Sequence, residues 1–245
     1  MNRKDKEWKV IDGRERVCLD CRPVNKAFLR IHYTHPIPQI QYIFRRMCRS
    51  KYFSELDLSE SFEQFRVSPE LSKLLTFSTL LEKVSMLVLP YGFNIKTDKL
   101  QETLSREFFE FLEVWLLIYI DNLLIYRDTW EEHLQCIKLL LERGRKLNIK
   151  MRLEKCAFLK KVIRTSGYIV QHLSIEPDPM KVDMLNRAKK PETVQEFQSF
   201  LELLQFYKGK LPHLAYRAHT LYAATTENLP FHWTSKLDKA FQAVK

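Results

Sequence analysis

Hydrophobic positions change period several times along the chain, and the changes mark its elements. Residues 114–120 and 123–126 are short apolar runs on either side of the polar pair Asp121-Asn122. Runs this short, rich in Ile, Leu and aromatics, suit buried strands, and Asp-Asn tolerates the positive φ of a tight turn. The segment predicts a hairpin with a carboxylate at its tip. Residues 52–58 predict a strand with Asp57 at its end, after which 59–64 turn away. Residues 8–22 predict a hairpin turning at Asp12-Gly13, with the alternation from Val17 to Cys21 read as strand. Residues 39–48 predict a short helix, and 77–89 one or two strands closed by Pro90-Tyr91-Gly92. The spacing of Leu100, Leu104, Phe108 and Phe111 predicts a helix over 100–112.

Two capping boxes follow, Thr129-x-x-Glu132 and Thr193-x-x-Glu196. The first opens a helix with Leu134, Ile137 and Leu141 as its apolar face. The second opens one with Val194, Phe197, Leu201, Leu204 and Tyr207. Strand-like pieces fill 149–170. Pro177 and Pro179 introduce a tail, from 176 to about 228, that reads as mostly helical.

The 245 residues suffice for one large or two modest domains with a real core. Glycine is scarce, and neither G-x-G-x-x-G nor G-x-x-x-x-G-K occurs, which removes Rossmann and P-loop readings. The net charge is +10, and much of it has one address: from Lys138 to Arg164, ten Lys or Arg face two Glu, a local excess of +8. Such a surface points to a polyanion such as nucleic acid, although a solvated basic face fits the same count. No secretory h-region follows the polar N-terminus, and the longest apolar run is too short to span a bilayer. Five cysteines without a pairing framework fit a reducing, intracellular compartment. Cys18-x2-Cys21 and His32-x2-His35 are packed more tightly than a zinc-finger pattern, and Pro36 favours extended chain at His35, so the spacing reads against zinc.

Asp57 closes one strand, and Asp121 tips a hairpin roughly sixty residues later. Convergence of the two would let paired carboxylates hold divalent metal for phosphoryl transfer. A charge at an apolar tip is costly without a cation, yet a solvated turn explains Asp121-Asn122 equally well from that segment alone.

Longer motifs now come into view. Arg16-Val-Cys-Leu-Asp20-Cys-Arg22-Pro-Val-Asn25-Lys26 looks like R-x-C-x-D-Y-R-x-L-N-K. Phe53-Ser-Glu-Leu-Asp57-Leu-Ser-Glu-Ser-Phe62-Glu-Gln64 looks like F-S-x-L-D-L-x-x-x-Y/F-x-Q. Leu89-Pro90-Tyr91-Gly92-Phe93 matches L-P-F-G-L, with Gln101 at a following F-Q, and Tyr119-Ile120-Asp121-Asn122 sits at Y-x-D-D. Lys155-Cys156-x-Phe158, Gly167-Tyr168, Pro177-Asp178-Pro179-x-Lys181-Val182 and Pro230-Phe231-His232-Trp233 continue the series. In this order and spacing the chain resembles the reverse transcriptase of gypsy-like LTR retrotransposon Pol polyproteins over nearly all its length.

The resemblance implies an α+β right-hand polymerase with a central antiparallel palm sheet. Residues 1–175 would be fingers and palm, lacking the first fingers segment; 176–228 would be a helical thumb or connector, and 229–245 the truncated start of an RNase H-like domain. The implied activity is RNA-directed DNA polymerisation: dNTPs added to a primer 3′-OH on an RNA or DNA template, beside other Pol domains and away from any membrane. Asp57 and Asp121 would hold two Mg²⁺ ions, or Mn²⁺, as catalytic residues. Arg16 would contact the triphosphate, and Phe62 would exclude a ribose 2′-OH. Tyr91 and Gln101 would line the nucleotide and template side, and Lys155 would stand near the leaving pyrophosphate. Arg143, Arg145, Lys146, Lys150 and Arg152 would lie toward the duplex backbone, where phosphate contacts set register.

The departures are specific. Asn122 replaces the second carboxylate of Y-x-D-D, and an amide oxygen brings no charge to a hard cation. Ile95-Lys96-Thr97 replaces the family's N-A-P, and Val10-Ile11 its paired lysines. The resemblance therefore implies a polymerase impaired by Asn122 and by truncation, with a catalytically inactive nucleic-acid-binding remnant as the alternative.

Overall fold

Continuous runs of buried residues, Leu116–Ile118 and Leu123–Tyr126, build the centre of the main sheet. The computed structural model describes residues 9–11, 14–16, 19–28, 35–206, 213–226 and 233–244. β1 (Lys9–Ile11) and β2 (Arg14–Arg16) pair antiparallel with Ile11 opposite Arg14; the Asp12-Gly13 turn between them lies outside the described residues, as do Cys18 and His32 of the zinc-like spacing. Helix α1 (Arg22–Phe28) replaces the end of the strand expected through residue 22. Pro23 sits in its first turn, where the missing N–H costs nothing, and Asp20 accepts the Arg22 N–H at 3.1 Å.

Helix α2 (Ile40–Met47) leads into β3 (Tyr52–Asp57) and a 3-10 turn, Ser61–Gln64. Helix α3 (Pro69–Leu74) leaves no trace in the apolar pattern because most of its residues are exposed. Its signal is Ser68-Pro69: Ser68 caps the helix by accepting the Leu71 N–H at 3.3 Å. β4 (Thr76–Ser78) and β5 (Lys83–Ser85) form a hairpin. Helix α4 (Lys96–Glu107) starts before the residue-100 start expected, since its first turn is polar and carries no apolar period.

β6 (Leu116–Tyr119) and β7 (Asn122–Arg127) are the expected hairpin, followed by α5 (Trp130–Lys146). With β3 and β8 (Ala157–Lys160) they form a four-stranded sheet in the order β6-β7-β3-β8, with every pairing antiparallel. Leu116, Ile118, Leu123, Ile125 and Leu56 fall on one face by the two-residue period. They join the buried cluster with Leu100 and Leu104 of α4, Phe108 just beyond its end, and Cys136, Ile137 and Leu140 of α5. The row Tyr119, Asn122 and Asp57 therefore belongs to the opposite face, at the sheet's end.

Helix α5 turns a different stripe inward than its leucine spacing indicates. It buries His133, Cys136, Ile137, Leu140 and Gly144, while Leu134 and Leu141 stay exposed. His133 is drawn in by a polar partner, Ser54 of β3. Gly144 allows close passage of residue 151: a Cβ there would meet Met151 Cε at 3.3 Å.

β9 (Val162–Thr165), β10 (Tyr168–Gln171) and β11 (Ser174–Pro177) form a small sheet of order β11-β10-β9. The chain divides into two compact units, residues 1–163 with 171–174 and residues 164–170 with 175–245. The second unit holds α6 (Pro179–Asn186), α7 (Val194–Phe206), α8 (Leu214–Thr226) and α9 (Ser235–Val244). Thr193 caps α7 by accepting the Glu196 N–H at 3.1 Å. Phe197, Phe200, Leu201 and Leu204 pack with Leu214, Ala218 and Leu221 of α8 and with Leu237, Phe241 and Val244 of α9. Val194, placed on that face by its spacing, is exposed, and Tyr207 lies outside the described residues. Among the described residues no helix is long and apolar enough to cross a membrane.

Candidate active site

The sheet's end collects the acidic residues singled out by sequence. Asp57 stands opposite Asn122 in the β3–β7 ladder, and Asn122 opposite Tyr119 across the hairpin. The Asp121 carbonyl accepts the Leu58 N–H at 3.2 Å, so the chain leaving β3 is tied to the hairpin tip. The Asp57 carbonyl accepts the Arg152 N–H at 2.9 Å. Burial pushes the Asp57 carboxyl up, and the negative charge of Asp121 pushes it further; Lys155 and then Arg152 oppose the rise. Lys155 thus lies within electrostatic reach of Asp57. Arg152, assigned to the duplex backbone by the resemblance, also acts on this carboxylate.

Two mutually repelling carboxylates are the arrangement that a divalent cation relieves. Among the described residues no group of three or more His, Cys, Asp or Glu could hold a metal. Asp57 and Asp121 bring two carboxylates to this end of the sheet, so a hard divalent ion held by them would need neutral oxygens or water to complete its shell, and two such ions would be short of charge.

The hairpin turn differs from expectation. Its positive φ falls on Ile120, at 58°, and not on the Asp121-Asn122 pair. A β-branched side chain is strained in that region by roughly 1–3 kcal/mol. Gln101, only 2% exposed, holds the turn from α4. Its Oε1 accepts the Ile120 N–H at 2.8 Å, and its Nε2 donates to the Ile118 carbonyl at 3.1 Å. The resemblance has Gln101 lining the nucleotide and template side; its amide is instead spent on hairpin backbone, because those groups would otherwise lie unpaired in the core.

Gln64 does similar work behind Asp57. Its Oε1 accepts the Lys150 N–H at 2.7 Å, and its Nε2 donates to the Lys150 carbonyl at 2.9 Å and to the Ser59 carbonyl. The side chain copies a strand's hydrogen bonding and joins the 3-10 turn to the segment that carries Arg152 and Lys155.

A second constellation stands around Phe62. Its half-buried ring meets Tyr91 edge to face, with centroids 6.2 Å apart and planes at 85°. The Lys96 ammonium lies 4.4 Å from the Phe62 centroid and 4.7 Å from that of Tyr91. Contacts of this kind are worth about 0.5–2 kcal/mol each, depending on desolvation. The Tyr91 turn is set by Gly92, whose φ is +99° and whose added Cβ would stand 3.0 Å from the Leu19 carbonyl oxygen. Asn25 pins the same turn by donating to the Gly92 carbonyl at 2.8 Å and accepting the Asn94 N–H at 3.0 Å. Arg16 ends β2, opposite Lys9.

Comparison with known proteins places the chain in a family. The family model described as reverse transcriptase (RNA-dependent DNA polymerase) matches residues 3–170. The chain belongs to the reverse transcriptase family. It is 30% identical over 200 residues to the retrovirus-related Pol polyprotein from transposon 297 of Drosophila melanogaster, covering 82% of this chain and 19% of that protein. It is 24% identical over 234 residues to the Transposon Tf2-7 polyprotein of Schizosaccharomyces pombe, covering 96% and 17%. The chain thus spans under a fifth of the length of these curated relatives. Its fold is similar to that of a foamy viral protease-reverse transcriptase solved in complex with an RNA/DNA hybrid. The TM-score is 0.78 and the identity 21%, over 94% of this chain and 31% of that one. A related structure in complex with dsDNA gives a TM-score of 0.76 at 22% identity, over 95% and 48%.

Within this member of the reverse transcriptase family the basic stretch is not uniform. Arg145, Lys146 and Lys150 are exposed. Arg143 is committed to the end of α4: its Nε donates to the Glu107 carbonyl at 3.0 Å, and its guanidinium pairs with the Glu107 carboxylate at 4.0 Å. That placement opposes a cation to a helix C-terminus. Gln64, Asn25 and Lys96 gain no role from sequence. Gln64 and Asn25 stand inside the quoted motifs, and Lys96 stands out only as a departure from them.

Proposed function

We propose that this chain is the polymerase portion of a gypsy-like LTR retrotransposon Pol protein, extending a primer 3′-OH with dNTPs on an RNA or DNA template, and that Asn122 slows it. The observation that carries the reading is the placement of Asp57 and Asp121 at one end of the sheet, where backbone hydrogen bonds tie Leu58 to Asp121 and Arg152 to Asp57, within electrostatic reach of Lys155. Mg²⁺ or Mn²⁺ held by Asp57 and Asp121 would supply positive charge where the primer oxygen meets the α-phosphate. Lys155 and Arg152 would balance negative charge on the departing pyrophosphate. Arg16 would contact the triphosphate, and the Phe62 ring would exclude a ribose 2′-OH. Arg145, Lys146 and Lys150 would meet duplex phosphates, which fix register without reading sequence.

A second reading is favoured by Asn122: a chain that binds primer–template without extending it. Primer extension on an RNA template, in Mg²⁺ and then in Mn²⁺, separates the two. Extension by the wild type that Asp57→Ala abolishes supports the polymerase. Salt-dependent binding of an RNA–DNA hybrid with no extension supports the second reading.

A further inference from the structure

We propose that Lys96 determines sugar specificity in this chain: its ammonium holds the Phe62 ring in the orientation that excludes a ribose 2′-OH. The inference rests on Phe62 acting as the sugar gate. Lys96 is the first residue of α4, where a cation opposes the positive end of the helix dipole. Two aromatic faces hold the ammonium there, that of Phe62 at 4.4 Å and that of Tyr91 at 4.7 Å. The Phe62 ring is thereby braced twice, by the cation on its face and by the perpendicular Tyr91 ring. The backbone beneath it is also fixed. Glu60, at φ 47°, starts the 3-10 turn, and Gln64 at its end is bonded to Lys150.

With the main chain held, rotation about the side-chain bonds is the freedom left to the ring. Such rotation would withdraw the aromatic face from the ammonium. A gate that rejects one hydroxyl must be held to a fraction of an ångström, which requires packing from neighbours. The resemblance places a small residue at this position, so the lysine brace belongs to this chain and not to the motif.

The test measures affinity for dATP and for ATP by titration calorimetry. Each binds a complex of the full chain with an RNA template and a dideoxy-terminated DNA primer, in Mn²⁺. Wild type, Lys96→Met, Lys96→Ala, Lys96→Arg and Phe62→Ala are compared. Lys96→Met keeps an unbranched stem of nearly the same length without the ammonium, so it carries the test if the alanine variant fails to fold. The expected result is that Lys96→Met lowers the preference for dATP over ATP about tenfold, the size of one half-buried cation–π contact, toward the Phe62→Ala value, while Lys96→Arg retains it. A Lys96→Met ratio equal to wild type, with Phe62→Ala losing discrimination, overturns the brace and leaves the gate standing. Equal loss of both nucleotides also overturns it, since the charge would then serve affinity alone. Wild type that binds neither nucleotide, or Phe62→Ala that keeps the ratio, overturns the gate and the brace together.

Discussion

Gln101 holds Ile120 in a left-handed turn, with Oε1 2.8 Å from the Ile120 nitrogen and Nε2 3.1 Å from the Ile118 carbonyl oxygen. Asp121 follows Ile120 directly, so this amide fixes where the carboxylate leaves the hairpin. Gln101→Ala strands one donor and one acceptor in largely buried surroundings and should cost about 2–4 kcal/mol by urea unfolding. In an Ile120→Gly background, where φ 58° carries no strain, the same substitution should cost less. An equal cost in both backgrounds would mean that the amide does not offset strain.

His133 makes the fold acid-sensitive. It is fully buried, its Nε2 lies 2.7 Å from Ser54 Oγ, and that Oγ accepts the Leu159 N–H at 3.0 Å. The Ser54 hydroxyl can therefore donate to Nε2, leaving the ring neutral with its proton on Nδ1, which has no partner among the described residues. Burial, helped by the charge of Arg127, pushes His133 from 6.5 down to about 4. The unfolded chain takes up this proton as pH falls below 6.5, and the folded chain does so only near 4. The contribution is thus intact above 6.5 and is lost between 6.5 and 4, up to about 3 kcal/mol. Urea midpoints across that window should fall, and His133→Gln should flatten the fall. An unchanged slope in the variant would locate the titration elsewhere.

Asp57 should trade stability for function. Its raised carboxyl binds a proton more readily in the folded chain, so its ionisation costs stability as pH rises through the ordinary carboxylate range to the raised value. Asp57→Asn should raise the metal-free Tm at pH 7, and Mg²⁺ should raise the Tm of the wild type but not that of Asp57→Asn. That increase corresponds to about 1.4 kcal/mol at ten times Kd. A lower metal-free Tm in Asp57→Asn would contradict the repulsion between Asp57 and Asp121.

The basic residues divide by what they touch. Neutralising Arg145 or Lys146 should weaken hybrid binding and flatten its log K against log salt dependence by about one unit for each phosphate no longer neutralised. Arg143→Met should leave that slope alone and cost about 1 kcal/mol of stability, because Arg143 is bonded to Glu107. Equal slope changes at all three positions would mean that Arg143 leaves Glu107 to meet the duplex.

Much of this is legible in the residues. A short apolar run ending in Asp57 and a paired run around Asp121 announce strand ends, and Thr129 and Thr193 cap the helices where their spacing says. Two features are hidden for a physical reason. The leucines of α5 suggest one face, yet the side turned inward packs Cys136, Ile137 and Leu140 into the core and sets His133 against Ser54, a strand residue far away in sequence. Gln101 carries a nucleotide-side role only through the resemblance, because nothing local shows that its amide meets the backbone of a distant turn. The strain at Ile120 is equally tertiary, since an isolated sequence places positive φ on Asp-Asn. Lys96 is only an oddity of sequence until the rings of Phe62 and Tyr91 are found beneath it.

Asn122 stands opposite Asp57, so restoring a carboxylate there adds charge at the point where the pair is thin. Single-nucleotide incorporation on an RNA template in Mg²⁺, by wild type and Asn122→Asp side by side, is the measurement to make. Faster incorporation and tighter Mg²⁺ binding in Asn122→Asp, both abolished when Asp57→Ala is added, are the predicted result. Equal rates and equal Mg²⁺ affinity in the two chains would contradict a polymerase site limited by its missing carboxylate.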